Sequence, residues 1–264
     1  MDLGTTKMIA RTEGGIGWMI FNQPEKHNAV SYEMWLAVPK IMAAFEADPQ
    51  VRVIVLAGAG ERAFVSGADI SEFEKKRGTT DAIKVYDDAG NAAHAALNAA
   101  QKPMISMIRG ICIGGGLAIT LSTDLRICSS DSVFSVPAAR LGLGYRYSGI
   151  KKLVDIVGPA FAKEIFYTAR QFDATEARQM GLVNRVRPVT ELESYVADYA
   201  ARIAENAPLT IGAVKLAVSE WAKDPAKRDL AACQAAVDAC FTSEDYVEGR
   251  TAFMQKRKPA FTGR

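Results

Sequence analysis

A nearly continuous apolar run, Val51 to Ala57, constrains the fold of this chain more than any other feature. The run reads VRVIVLA and lies between turn signals. A strand without alternation of polar and apolar residues is typically buried on both faces, so helices must cover its sheet on each side. The sequence therefore predicts an α/β core in which strands alternate with helices.

Local signals place further elements around this strand. A β-hairpin is predicted from Met8 to Phe21, with its turn at Glu13-Gly14-Gly15. Ser31 is expected to cap a helix that reaches about Ala47. The remaining predictions are an alanine-rich helix from Asp81 to about Ala100, strands at Met104 to Ile108, Leu125 to Cys128, Val133 to Val136 and Leu182 to Val186, and capping boxes at Asp173 with Glu176 and at Thr190 with Glu193.

The chain is expected to divide into a core, residues 1–200, and a C-terminal helical region, residues 201–264. From about Pro208 to Lys256 the pattern predicts helices only. These helices are too apolar on one side to stand alone, so they are expected to pack on the core or on a neighbouring subunit.

Composition excludes several functional classes. The 264 residues carry a net charge of only +2, which argues against a nucleic-acid interface. No apolar run approaches the ~20 residues of a membrane span, and the N-terminus lacks the pattern of a signal peptide. The four cysteines form no CxxC pair and there are only two histidines, so no metal site is expected. A cytoplasmic protein with reduced thiols is the expectation.

The strongest local motif is the segment from Gly110 to Ile119, GICIGGGLAI. A strand and a turn lead into three glycines that open a helix. The first amides of a helix are free donors with partial positive charge, and glycine lets a ligand approach them, so the segment could hold a developing oxyanion. Tight packing at a strand–helix corner explains an isolated triple glycine equally well. Neither GxGxxG nor a Walker loop is present.

A second motif spans Arg62 to Ile70, RAFVSGADI, and follows the predicted buried strand and a glycine-rich turn. Its small residues would allow backbone amides to face a ligand. Taken alone, it fits an ordinary loop.

Together and in this order, the motifs resemble the enoyl-CoA hydratase/isomerase family, the crotonases. The resemblance runs nearly end to end. It rests on Pro24 to Ala29 (PEKHNA), Ser66 to Ile70 (SGADI), the glycine-led helix, Ser122 to Arg126 (STDLR), Phe134 to Pro137 (FSVP), Ala177 to Arg185 (ARQMGLVNR) and Glu248 to Arg257 (EGRTAFMQKR).

The resemblance implies a crotonase-type spiral of ββα units with a C-terminal helical oligomerisation region, which builds trimers or pairs of trimers. It also implies an enzyme, a CoA-thioester lyase or isomerase of fatty acid metabolism, whose partner is an acyl-CoA substrate. Coenzyme A would enter only as part of that substrate, without a separate cofactor.

The residues that the resemblance assigns fall into two groups. The backbone amides of Ala68 and Gly115 would form an oxyanion hole for the thioester. The residues that would hold coenzyme A are Lys26, Ala29, Ser66, Asp69 and Ile70, with Phe253 and Lys256 at the nucleotide end.

The chain departs from the family pattern at two catalytic positions. Hydratases of the family use two glutamates, which correspond here to Ala118 and Ala138. Each missing acid or base forfeits roughly 10²- to 10⁴-fold in rate, so hydratase activity of the usual kind is not expected.

The segment after Ala138 instead looks similar to the methylmalonyl-CoA decarboxylase branch, which has a tyrosine at the position of Tyr145. Loss of CO₂ leaves an enolate that an oxyanion hole can hold, and Arg140 or Arg146 could pair with the departing carboxylate. These arginines could equally be surface or interface residues, and Tyr145 a packing aromatic.

Three functions therefore remain open. The first is a CoA-thioester enzyme that works without the glutamate pair. The second is a hydratase with displaced acid and base groups, such as Asp69, Glu72 or Tyr145. The third is a non-catalytic CoA-binding or partner-binding scaffold.

Overall fold

The computed structural model describes residues 2–69 and 80–264, with backbone alone for residues 80–83. This part of the chain contains ten strands, and in the core they alternate with helices, as predicted for an α/β protein. The strands are β1 (Met8–Glu13), β2 (Ile16–Phe21), β3 (Val53–Gly58), β4 (Ala63–Val65), β5 (Met104–Ile108), β6 (Ile111–Ile113), β7 (Leu125–Ser129), β8 (Val133–Ser135), β9 (Phe172–Asp173) and β10 (Arg185–Arg187). The α-helices are α1 (Tyr32–Ala47), α2 (Thr80–Asn98), α3 (Gly115–Thr120), α4 (Tyr147–Thr168), α5 (Ala174–Gln179), α6 (Leu192–Ala204), α7 (Pro208–Trp221), α8 (Leu230–Thr242) and α9 (Glu244–Met254).

Successive ββα units build two sheets at once. The six-stranded sheet has the order β1-β2-β3-β5-β7-β10, and the four-stranded sheet has the order β4-β6-β8-β9. In the units that begin with β3, β5 and β7, the first strand joins the larger sheet and the second joins the smaller one. Each new unit adds its strands in parallel beside those of the unit before. This stepwise advance is the predicted spiral.

Strand β3 shows why its sequence lacks alternation. Ile54 and Leu56 belong to the core that α1 and α2 cover. Val53 and Val55 point to the opposite face, where they pack with Leu192 and Val196 of α6. Both faces are buried, so apolar residues occupy successive positions.

One local prediction was wrong, and the bounds of a second were shifted. The capping box at Thr190 does not form, because a short 3-10 helix occupies Val189–Glu191 and helix α6 starts at Leu192 without a side-chain cap. Strand β10 covers Arg185–Arg187 rather than Leu182 to Val186. Leu182 is buried in the core, and pairing with β7 begins only at Arg185. In contrast, Asp173 and Glu176 form the predicted capping box.

The C-terminal helices are tied to the core by a few polar contacts. Lys215 of α7 donates to the carbonyl of Lys102 at 2.7 Å and pairs with Asp124 at 2.9 Å. Arg52 donates to the carbonyl of Phe261 at 2.9 Å. The division at residue 200 stays a prediction, and it falls within α6. None of the described helices is long and apolar enough to cross a membrane.

Candidate active site

Helix α3 begins in a backbone geometry that requires glycine. Gly114 is the residue before the helix and has a φ of 55°, in the left-handed region. A Cβ on Gly116 would lie 2.1 Å from the carbonyl oxygen of Val65, at the end of β4. The glycines thus let the first turn of α3 press directly against β4.

The Ser66 to Asp69 loop continues from the end of β4 and pairs with Val30. The amide of Val30 donates to the carbonyl of Gly67 at 2.8 Å, and the amide of Asp69 donates to the carbonyl of Val30 at 3.0 Å. Because alternate residues of an extended chain direct their amides to opposite sides, the amide of Ala68 points away from this pairing.

These two segments bring the amides of Ala68 and Gly115 together. A Cβ on Gly115 would lie 3.6 Å from the amide nitrogen of Ala68, and a Cβ on Gly67 would lie 4.0 Å from the amide nitrogen of Gly115. Neither amide donates to an acceptor within residues 2–69 and 80–264. Two adjacent free donors can bind a single oxygen atom that carries negative charge.

Methyl groups occupy the two positions at which the resemblance led us to expect the carboxylates of a hydratase. Ala118 lies one helical turn after Gly115 and is half-buried. Ala138 is buried and directly follows Pro137, whose Cδ lies 4.0 Å from the position of a Cβ on Gly114. The site therefore has no acid or base at these two positions.

A cavity of about 460 Å³ lies beside Ala138. Its lining is mainly apolar and, as far as the structure describes the chain, contains no carboxylate; it includes Ala138, Leu143, Tyr145, Ala162, Lys163 and Phe166. The ring of Tyr145 packs edge-on against Phe166 with centroids 4.9 Å apart. Burial raises the pKa of Tyr145, so its phenol stays protonated at neutral pH.

The two arginines of this segment lie outside that lining. Arg146 is exposed and pairs with Asp87 at 3.4 Å. Arg140 is exposed at the end of a short 3-10 helix, Pro137–Leu141. Of the three residues proposed here for chemistry, only Tyr145 faces the cavity.

Four of the residues expected to hold coenzyme A are close together. Lys26 pairs with the buried Asp69 at 2.8 Å. The amide of Ser66 donates to the carbonyl of His27 at 3.1 Å, and the amide of Ala29 donates to the carbonyl of Lys26 at 3.0 Å. Ile70, the fifth residue, lies outside the described residues, as does Glu72, the suggested displaced acid.

Asn28 organises this loop, and the sequence reasoning did not single it out. It has a left-handed φ of 55°, which asparagine tolerates better than most residues. Its buried side chain accepts from the amide of Gln23 at 2.9 Å and donates to the carbonyls of Ala59 and Ala63 at 2.9 and 2.8 Å. The side chain thereby joins the Lys26 loop to β4. Its position within the PEKHNA motif was the available signal.

Phe253 and Lys256 lie at the end of α9. Phe253 is 81% exposed, and Lys256 has a left-handed φ of 54°. Within the described residues, no hydrogen bond or ion pair connects either of them to the Lys26 loop. Asp124 accepts from the amide of Met104 at 2.7 Å and pairs with Lys215, so it stabilises the core. Among the described residues, no cluster of His, Cys, Asp and Glu side chains could hold a metal ion.

Comparison with known proteins gives matches over nearly the whole chain. The family model described as enoyl-CoA hydratase/isomerase matches residues 11–264. A short-chain-enoyl-CoA hydratase of Clostridium acetobutylicum is 34% identical over 95% of each chain. A crotonyl-CoA hydratase of Syntrophomonas wolfei is 32% identical over 96% of this chain and 97% of the relative.

Solved structures give the same result for the fold. An enoyl-CoA hydratase/carnithine racemase from Magnetospirillum magneticum superposes with a TM-score of 0.91 at 33% identity, over 98% of this chain and 97% of that chain. An enoyl-CoA hydratase from Bacillus anthracis gives a TM-score of 0.92 at 27% identity, over 98% and 100% of the two chains. The crotonase-type fold expected from the motifs is confirmed.

Proposed function

The chain belongs to the enoyl-CoA hydratase/isomerase family, and from this premise we propose that it binds an acyl-CoA thioester between the amides of Ala68 and Gly115. The juxtaposition of these two free donors carries the proposal. When the α-carbon of a thioester becomes an enolate, negative charge develops on the thioester oxygen. Two fixed amides stabilise that charge, and loss of one such donor costs roughly 3 kcal/mol in the barrier.

The site is best suited to a reaction that forms or consumes a thioester enolate and needs no pair of carboxylates as acid and base. Hydration requires one group to activate water and another to protonate carbon. Ala118 and Ala138 can do neither, and the cavity beside Ala138 offers no carboxylate among its described lining. We therefore do not assign hydratase activity of the usual kind to this chain.

The position of Tyr145 in the cavity supports decarboxylation as the reaction. The bond between the α-carbon and a carboxylate would break, CO₂ would leave, and the electron pair would pass to the thioester oxygen between the two amides. A proton from the Tyr145 phenol or from solvent would then complete the α-carbon. Tyr145 lines the cavity and burial raises its pKa, which keeps that proton in place. Arg146 could bind the carboxylate only by exchanging its partner Asp87.

The coenzyme moiety is assigned to the loop that joins Lys26, Ala29, Ser66 and Asp69. Phe253 and Lys256 would contact the nucleotide end from a neighbouring subunit of a trimer or of a pair of trimers. An apolar groove of about 1160 Å³ between helices α7, α8 and α9 supports self-association. Residues along the C-terminal helices are strongly exposed, among them Trp221 at 73% and Met254 at 81%.

Two measurements test the proposal. Titration with acetyl-CoA in a calorimeter should show binding. If no acyl-CoA binds, the proposal is refuted. Incubation with malonyl-, methylmalonyl- and crotonyl-CoA, followed by mass spectrometry, should show loss of CO₂ from one of the first two. If none of the three thioesters is turned over, the protein is a non-catalytic scaffold. Hydration of crotonyl-CoA would instead indicate a hydratase with displaced acid and base groups.

Gly115→Pro tests the amide site as a whole. Proline is tolerated at the first position of a helix but has no N–H, so one donor disappears, and its Cβ, 3.6 Å from the amide nitrogen of Ala68, narrows the space beside the other donor. Turnover should fall by roughly 10²- to 10³-fold. Binding of free coenzyme A, which has no thioester oxygen, should be unchanged and serves as the control.

A further inference from the structure

Lys152 of helix α4 is a half-buried cation with neutral partners only. Its ammonium donates to Ser122 Oγ at 2.9 Å and to Asn98 Oδ1. No carboxylate pairs with it among the side chains that the structure describes, and burial alone lowers its pKa, to about 8. The adjacent Lys151 differs, because it pairs with Asp155 at 2.6 Å.

Among the described residues near Lys152, no negative charge compensates its ammonium group. His94 of α2 is the nearby titratable group, and burial together with Lys152 lowers its pKa to about 4, so it is neutral at physiological pH. The His94 ring packs against Trp35 of α1 with centroids 5.5 Å apart. Asn98 and Ser122 contribute only dipoles. A partly desolvated ammonium without a counter-charge is stabilised when an anion joins it.

Ser122 connects Lys152 to the amide pair. Gly115, Ala118 and Ser122 follow the spacing i, i+3, i+7, which places them on one face of a helix. Helix α3 ends at Thr120, and the amide of Ser122 continues the turn by donating to the carbonyl of Ile119 at 3.0 Å. The side of Gly115 that a Cβ would occupy faces the amide of Ala68. This spacing predicts that Ser122 lies on the side of the amide pair, roughly 10 Å further along the helix axis.

We propose that Lys152, with Ser122 and Asn98, binds a carboxylate at the far end of the acyl chain, so that this chain accepts ω-carboxyacyl-CoA thioesters. The proposal rests on the proposed function, because it needs the thioester oxygen to lie between Ala68 and Gly115. The acyl chain would pass Ala118, where a methyl group leaves room and brings no repelling charge. The far carboxylate is not the one that would leave as CO₂, which must stand on the α-carbon, so Lys152 would act in binding and take no part in bond breaking.

Matched thioesters test the proposal. Adipoyl-CoA and hexanoyl-CoA have six acyl carbons, as suberoyl-CoA and octanoyl-CoA have eight, and only the first of each pair ends in a carboxylate. The ω-carboxy member of at least one pair should bind roughly 10- to 100-fold more tightly, as expected for a charged hydrogen bond. The preference should shrink as pH rises above the range where Lys152 is protonated.

Two variants distinguish binding of the carboxylate at Lys152 from attraction by any positive charge nearby. Lys152→Met should abolish the preference, whereas Lys151→Met removes a neighbouring positive charge and should leave it intact. If Lys152→Met does not fold, Lys152→Gln and Ser122→Ala should each reduce the preference.

The outcomes distinguish the two proposals. Equal binding of the paired thioesters, or a preference that survives in Lys152→Met, overturns the inference while the proposed function stands. Failure of all four thioesters and of acetyl-CoA to bind overturns the proposed function, and with it the inference.

Discussion

The backbones of Gly116 and Val65 approach so closely that a Cβ atom on Gly116 would lie 2.1 Å from the carbonyl oxygen of Val65. Gly115 precedes Gly116 and Ala68 follows Val65 by three residues, so this contact joins the two segments that carry the candidate amides. Only glycine permits so close an approach.

Gly116→Ala should therefore disturb the site and the fold together. The methyl group must push α3 away from β4, which we expect to cost about 2 kcal/mol or more in the free energy of unfolding. Urea unfolding and calorimetric titration with acetyl-CoA measure the two effects. Gly212→Ala in α7 is the control, because its Cβ would meet nothing within 4 Å and alanine stabilises a helix interior by up to about 1 kcal/mol. Unchanged stability and binding in Gly116→Ala would contradict the assigned contact.

Restoring the glutamates should restore hydration. Ala118→Glu with Ala138→Glu supplies both an acid and a base beside the amide pair, and each is worth roughly 10² to 10⁴ in rate. The decay of crotonyl-CoA absorbance should be faster in the double variant than in either single variant. Ala43→Glu provides the control, since Ala43 is exposed on α1 and outside the lining of the cavity. A double variant no faster than that control would argue that the two positions do not face the thioester.

His94 should make stability depend on pH in a defined window. Burial, aided by Lys152, lowers its pKa from 6.5 in the unfolded chain to about 4. Between these values the unfolded state binds more protons, so stability is complete above pH 6.5 and falls as the pH drops towards 4. The loss should reach up to about 3 kcal/mol. Urea unfolding at pH 4.5 to 7 measures it, and His94→Phe, which keeps a ring beside Trp35, should flatten the curve. An identical slope in both proteins would assign the effect to other groups.

The apolar groove of the C-terminal helices should be covered by other copies of the chain. We expect light scattering after size exclusion to give a mass three or six times that of the 28.5 kDa chain. Val214→Asp, in the groove and 59% exposed, should lower that mass by burying an unpaired charge. Leu36→Asp, on α1 and 43% exposed outside the groove, should not. A monomeric parent protein would refute the expectation directly.

Local patterns predicted most of the elements because their causes are local. Strand β3 follows from a run of apolar residues, and the capping box of α5 follows from Asp173 and Glu176. Strand β10 and the start of α6 were misplaced where the pattern was weak. Leu182 is apolar because it fills the core, whereas the ladder starts where Arg185 meets Ile127 of β7, and no spacing in the sequence encodes that partner.

The sequence by itself determined the family, the fold and the absence of glutamates at Ala118 and Ala138, because these depend on residue identity and on the order of the motifs. Tertiary structure decided which groups meet: the amide of Ala68 beside that of Gly115, the ring of Tyr145 against Phe166, and Lys152 beside Asn98, 54 positions away in the chain. The physical reason is that side-chain charge and backbone donors act over a few ångströms. A sequence specifies such groups, but only the packing of strands against helices sets the distances between them and leaves Lys152 without a described counter-charge.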